Sequence, residues 1–197
     1  MLTRPDGLAQ IAERYPEQPI LLTLGGTLRE MLAMAGRRLN HLPILDAMGQ
    51  PAAIGLGLAI GLADADRFER VVVIEGDGSL LMGFSALATI GHLKPKKLLL
   101  IIFDNGVYLA TGGQPTAASD VDYAAVALAC GWAGARDVDA DPDALANAMQ
   151  WADEQDGPVL LRVRVGTESV ATDYFLEDPV VLGREFSDWV AGTTRED

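Results

Sequence analysis

The sequence predicts an α/β domain of three layers, with helices packed on both faces of a six-stranded, mainly parallel sheet. Short runs rich in β-branched residues and leucine alternate with helix-like stretches along the chain, the pattern of strands buried on both faces and joined by helical crossovers. Hydrophobic residues make up 49% of the 197 and charged residues 22%, enough apolar surface for a well-buried core. No internal repeat or low-complexity linker interrupts the alternation. Residues 1–165 therefore read as one domain, and 166–197 as a C-terminal extension that packs on it or on a partner.

The elements follow in order. Pro19–Leu24 is the first apolar run and predicts a strand; Gly25-Gly26 then turns the chain into a helix over Thr27–Ala35. Thr27-x-x-Glu30 fits a capping box at that helix start. A shorter strand is predicted at about Leu42–Leu45, then a helix over Pro51–Ala63. That helix holds Gly55, Gly57 and Gly61, and since Gly costs about 1 kcal/mol relative to Ala in a helix interior, close approach of another backbone within the domain is expected to compensate. Arg70–Glu75 is the next strand, followed by a helix over Gly83–Leu93 and a strand over Lys97–Phe103. The remaining elements are a helix over Val121–Cys130, a short strand at about Ala135–Val138, a helix over Pro142–Glu154 and a strand over Pro158–Val165. In the extension, Pro179–Val190 reads as a further helix.

Composition narrows the function. A net charge of −13 argues against a nucleic-acid binder, since phosphate backbones need Lys and Arg for neutralisation. The single cysteine, Cys130, lies in an apolar run and reads as buried and inert; no disulfide, zinc or iron–sulfur ligand set can be built from it. Charges at Arg4, Asp6, Glu13, Arg14 and Glu17 interrupt any early apolar stretch, so no signal peptide is read. No apolar segment reaches the roughly 20 residues that span a membrane. A soluble, cytoplasmic protein is the expectation.

In α/β sheets ligands gather at the carboxyl ends of the strands, and three loops there carry chemistry. Glu75-Gly76-Asp77-Gly78-Ser79 places two glycines around one carboxylate, so the backbone can turn tightly and approach a ligand; alone, it reads equally well as a plain strand-to-helix turn. Asp104-Asn105-Gly106-Val107-Tyr108 follows the next strand, with Asn105 28 residues after Asp77. By itself this too is an ordinary turn. Together, the two loops offer a carboxylate, an amide oxygen and a nearby carbonyl at one sheet edge, hard oxygen donors that suit octahedral Mg²⁺. The third, Leu45-Asp46-Ala47-Met48-Gly49, carries a bulky, adaptable thioether. The Gly25-Gly26-Thr27 turn would present free N–H groups and a helix dipole to an anion without any Lys or Arg.

Gly-Asp-Gly followed within thirty residues by an Asn-containing turn resembles the signature of the diphosphate-binding domain of thiamine-diphosphate enzymes, here over Gly76–Tyr108. The x-Ala-Met-Gly segment, Gly-Asp-Gly-Ser-Leu-Leu-Met, and Asp-Asn-Gly-x-Tyr followed by Thr111-Gly112-Gly113-Gln114-Pro115-Thr116 are together similar to sulfopyruvate decarboxylase β subunits and to the C-terminal part of phosphonopyruvate decarboxylases. The resemblance covers about Ile20–Val165. It implies that Asp77 and Asn105 supply side-chain Mg²⁺ ligands and Val107 its main-chain carbonyl. It also implies that Gly25, Gly26, Thr27, Gly76, Gly78, Ser79 and Tyr108 cradle thiamine diphosphate. Met48 would prop the cofactor's two rings into a bent shape, and Asp46, where the family commonly has Gly, would offer a main-chain carbonyl to the 4′-amino group. Asp104 stands where many members have Asn, adding negative charge beside the site.

The family's activating Glu belongs to a separate pyrimidine-binding domain, and no stretch before Gly76 is long enough to be one. The resemblance therefore implies a subunit with no catalytic residue of its own. It would pair with a pyrimidine-binding α subunit in a heterotetramer and act on a small 2-oxo acid as a carboxy-lyase. Thr111-Gly112-Gly113 would then help close the site, while His41 and His92 are weak catalytic candidates. The alternatives are a carboligase or other thiamine-diphosphate lyase subunit, or a non-catalytic cofactor-binding module.

Overall fold

Eight strands appear in the computed structural model, which describes residues 1–193: β1 (Ile20–Thr23), β2 (His41–Ile44), β3 (Val71–Gly76), β4 (Leu98–Asp104), β5 (Val107–Tyr108), β6 (Gln114–Pro115), β7 (Gly134–Val138) and β8 (Val159–Arg164). Six of them form one sheet in the order β2-β1-β3-β4-β8-β7, and every pairing in it is parallel. β5 and β6 form a separate antiparallel ribbon. The predicted six-stranded sheet is present and is wholly parallel.

Alternation along the strands builds the two cores. In β4, Leu99, Ile101 and Phe103 face one helical layer, while Leu98, Leu100 and Ile102 face the other. The first layer holds α1 (Arg4–Arg14), α2 (Gly26–Ala35) and, later in the chain, a helix over Pro142–Asp153. The second holds α3 (Pro51–Gly61), then α4 (Asp77–Met82), α5 (Ala86–Leu93) and α6 (Tyr123–Ala129). The Pro142–Asp153 helix is α7, and α8 (Pro179–Ala191) completes the second layer. Fully burying a large apolar side chain stabilises by about 1.5–3 kcal/mol, so these continuous stripes drive the layering. Among the described residues no helix is long and apolar enough to cross a membrane.

Three local differences from the sequence reading have physical causes. α1 was not predicted; Thr3 caps it by accepting from Asp6 N–H, and Leu8 and Ile11 bury one face. The expected helix over Gly83–Leu93 starts later, at Ala86, and an unpredicted short helix, α4, precedes it, with a break at Gly83–Ser85 between them. At that break a Cβ on Gly83 would overlap the Gly49 carbonyl, so two distant loops meet there. The close approach expected in α3 is to a side chain rather than a backbone and holds for Gly55 alone, where a Cβ would overlap the Val73 side chain of β3; Gly57 and Gly61 face open space.

The topology opens the crevice. From β1 the chain passes through α2 to β2 on one side, whereas from β3 it passes to β4 on the other. The loops leaving these adjacent strands diverge, the arrangement that creates ligand sites in open α/β sheets. Past β8, residues 166–178 have no regular structure, and α8 then packs beside β2 at the far side of the sheet, with Trp189 5.3 Å from Phe68.

Candidate functional site

A cleft of about 730 Å³ lies at the carboxyl ends of the strands, within the size range of small-molecule sites. The turn after β1 contributes Gly25, Gly26 and Thr27 to its wall. The turn after β3 brings Gly76, Asp77, Gly78 and Ser79, and the turn after β4 brings Asn105, Val107 and Tyr108. Met48 lines it from the loop after β2. Of the residues expected to hold the metal or the cofactor, Asp46 alone stays outside; it is exposed and holds φ +56°. A left-handed backbone is strained for a side chain and free for Gly, which is a physical reason for Gly to be common there.

Asp77 opens α4 and is buried. Thr116 Oγ1 donates to its Oδ2 at 2.6 Å. Burial pushes the Asp77 carboxyl above its ordinary range; the Thr116 hydroxyl opposes this, and Asp104 reinforces it. No cation among the described residues pairs with Asp77. Asn105 turns its Oδ1 to its own loop, accepting from Val107 N–H at 3.1 Å. The Tyr108 ring lies on Gly78, where a Cβ would overlap it, so that Gly is required by close approach. Behind the metal loop, Thr116 N–H donates to Gly106 O and Gly113 N–H to Tyr108 O, which folds Thr111–Gly113 back onto the ribbon.

Three residues took on roles the sequence reading did not give them. Asp104, whose charge still bears on Asp77, is not left unpaired: Arg162 holds it at 2.5 Å in a buried pair, bracing the loop from beneath. Glu75, wholly buried, accepts from Ala52 N–H at 2.8 Å and from Ser79 Oγ at 2.7 Å. Ser79 Oγ in turn accepts from Gly49 N–H at 3.1 Å and lies 3.0 Å from Thr23 Oγ1. Burial pushes the Glu75 carboxyl up, against those two hydrogen bonds. The Glu75–Ser79 pair thus joins the loops that carry Gly25, Met48 and Asp77. Its signal in the sequence was a charged residue closing an apolar strand.

The predicted capping box does not form. α2 starts at Gly26 with Gly25 as cap and no side-chain hydrogen bond, while Glu30 turns away to Arg4, which donates to both its oxygens at 2.6 and 2.9 Å. A buried guanidinium is a stronger partner for Glu30 than a backbone N–H. The first-turn N–H groups of α2 are left without a side-chain cap, open to an anion in the cleft.

The donor set fits the implied groups. Among the described residues no three of His, Cys, Asp and Glu cluster to hold a metal by themselves. One carboxylate, one amide oxygen and one carbonyl are instead a partial hard-oxygen set, which Mg²⁺ completes with diphosphate oxygens and water. His92 is exposed at the end of α5, and Cys130 is half-buried rather than fully buried. His41 is buried in β2 with neither ring nitrogen partnered, and burial lowers it to about 4; it does not line the cleft.

Comparison with known proteins agrees with this geometry. The family model for the C-terminal TPP binding domain of thiamine pyrophosphate enzymes matches residues 30–163. The chain is 38% identical to a phosphonopyruvate decarboxylase of Streptomyces hygroscopicus over 161 residues, 82% of this chain and 38% of that protein. It is 34% identical to the sulfopyruvate decarboxylase subunit beta of Methanothermobacter thermautotrophicus over 173 residues, 84% of this chain and 83% of the subunit. The chain thus spans about two fifths of the phosphonopyruvate decarboxylases it matches and most of the shorter subunit. Benzoylformate decarboxylase from Polynucleobacter necessarius has the same fold, with a TM-score of 0.69 at 20% identity, covering 84% of this chain and 33% of that one.

Proposed function

This chain belongs to the thiamine pyrophosphate enzymes, through their C-terminal TPP-binding domain, and we propose that it is the cofactor-binding subunit of a two-chain 2-oxo acid decarboxylase. The observation that carries the proposal is the meeting of Asp77, Asn105 and Val107 with the uncapped start of α2 in one cleft. Asp77 and Asn105 would hold Mg²⁺ by their side chains and Val107 by its carbonyl, and the N–H groups of Gly26 and Thr27 would receive the diphosphate. When bound, thiamine diphosphate supplies the electron sink for loss of CO₂. Met48 supports its rings, and Tyr108, seated on Gly78, closes the wall beside the diphosphate.

Neither buried Glu near the site is free to activate a cofactor. Glu30 is tied to Arg4, and Glu75 to Ser79 and Ala52. On this reading the activating carboxyl comes from a pyrimidine-binding partner chain, and the "subunit beta" in the names of the sulfopyruvate decarboxylase relatives supports such a partner. The assembly is a cytoplasmic heterotetramer with cofactor at each interface between unlike chains. Its substrate is a short 2-oxo acid bearing a second strong acid, as in sulfopyruvate and phosphonopyruvate.

Calorimetric titration with thiamine diphosphate and Mg²⁺, with and without the co-expressed partner, tests this together with CO₂ release from both acids. Cofactor binding completed by the partner, and turnover only in the complex, is the expected result. Robust turnover by the isolated chain would overturn the two-chain reading.

A further inference from the structure

Beyond the metal corner, the cleft follows the first turns of α2 toward residues 166–178. Two arginines line it. Arg4 is committed, since two of its nitrogens donate to Glu30 in a nearly buried pair. Arg29 is different. Its Nε donates to Gly25 O at 3.4 Å, its guanidinium carbon stands 5.5 Å from the Tyr174 ring, and no carboxylate among the described residues pairs with it. Arg29 follows Gly26 by three residues, so the two share a helix face. The segment that carries Tyr174 also brings Thr167, Ser169 and Thr172 to the cleft wall.

In a chain of net charge −13, Arg29 is a half-buried guanidinium with no counter-ion; Arg38 lacks one too, but spends its nitrogens on the carbonyls of Ala35 and Ala12. Its Nε is used, which leaves the two terminal nitrogens, a planar fork, without a hydrogen-bond acceptor among the described residues. That fork matches the oxygens of a tetrahedral sulfonate or phosphonate better than a point charge does. The diphosphate already has the metal ligands and the N–H groups of α2.

We infer that Arg29 recognises the second acid group of the substrate, the sulfonate or phosphonate of a short 2-oxo acid, so that this chain supplies a specificity-determining residue. The inference rests on the decarboxylase reading for the identity of the substrate, but not for the existence of the anion site.

The test compares wild type, Arg29→Gln and Arg29→Lys, each assembled with the partner chain. KM and kcat are measured for sulfopyruvate, phosphonopyruvate and pyruvate, and calorimetry follows thiamine diphosphate with Mg²⁺ and then phosphonoacetate on the loaded complex. Arg29→Gln is expected to raise KM for the two acid-bearing substrates by about 10- to 100-fold more than for pyruvate. It should also abolish phosphonoacetate binding while thiamine diphosphate affinity stays within about twofold. Arg29→Lys, charged but lacking the fork, should recover part of the loss.

A parallel loss of cofactor affinity would overturn the inference by assigning Arg29 to the diphosphate. An equal rise in KM for pyruvate would overturn it as well. Should wild type decarboxylate none of the three acids, the decarboxylase reading falls, and the phosphonoacetate arm still decides Arg29. Binding lost in Arg29→Gln upholds the anion site; binding absent in wild type, or unchanged in the variant, removes it.

Discussion

At the amino ends of the strands, Arg70 donates to the carbonyls of Lys96, Ala152 and Gln155 and faces Asp153 at 3.6 Å. Tyr15 and Arg14 complete the same cluster on Asp153. At the carboxyl ends, Asp77 is just as buried with a single hydroxyl and no cation, and Arg29 stands without an anion. The amino end has satisfied its charges within the chain; the carboxyl end pairs Asp104 with Arg162 and Glu30 with Arg4 but leaves Asp77 and Arg29 for something that binds. Local departures from full satisfaction mark function when they gather at a cleft.

Substitutions at the two ends should separate these roles. The largest effect is expected from Asp77→Ala, which should weaken Mg²⁺-dependent cofactor binding about a thousandfold, or about 4 kcal/mol. Thermal melting without metal should be unharmed, since an unpaired buried carboxylate is lost. Arg70→Ala should do the reverse. Orphaning three carbonyls and taking one partner from Asp153, which keeps Arg14 and Tyr15, should cost about 3 kcal/mol in urea unfolding, with cofactor affinity unchanged in the molecules that remain folded.

His41 sharpens the comparison because it is buried and unpartnered away from the cleft. Its folded form resists protonation down to about 4, against an ordinary value of 6.5. The unfolded chain therefore binds the extra proton first, and stability present above pH 6.5 is lost as pH falls toward 4. The loss is about 3 kcal/mol at 1.36 kcal/mol per unit. Unfolding curves across that window should flatten in His41→Leu; an unchanged slope would show that other groups set the acid limit. The smallest effect is expected from Ser79→Ala, about 1 kcal/mol of stability, with a few-fold weaker cofactor binding as the Gly49 loop loosens.

What was legible in the sequence was what neighbours in the chain decide. Val71–Ile74 and Leu98–Phe103 are apolar beyond mistaking, and the Asp77 and Asn105 loops announce themselves by residue type. What was not legible depends on partners far along the chain. Thr27-x-x-Glu30 obeys a local capping rule, yet Arg4, 26 residues earlier, takes Glu30 away. Asp104 read as surplus charge because its partner Arg162 lies 58 residues on, in a different strand. α4 and α5 part at Gly83 because Gly49 presses against it from another loop. Each miss is a tertiary contact overriding a local preference.

The Glu75–Ser79 junction has a bearing on how this site can evolve. Thr23, Gly49 and Ala52 converge on two side chains, so no one of the three loops can drift alone without stranding a buried donor or acceptor. Substitutions at Thr23, Glu75 and Ser79 should be epistatic, with paired changes costing less than the sum of the single ones. Lineages that retune the cofactor cradle would have to change these positions in concert, and the wall around Arg29, outside that junction, is left as the region free to diversify.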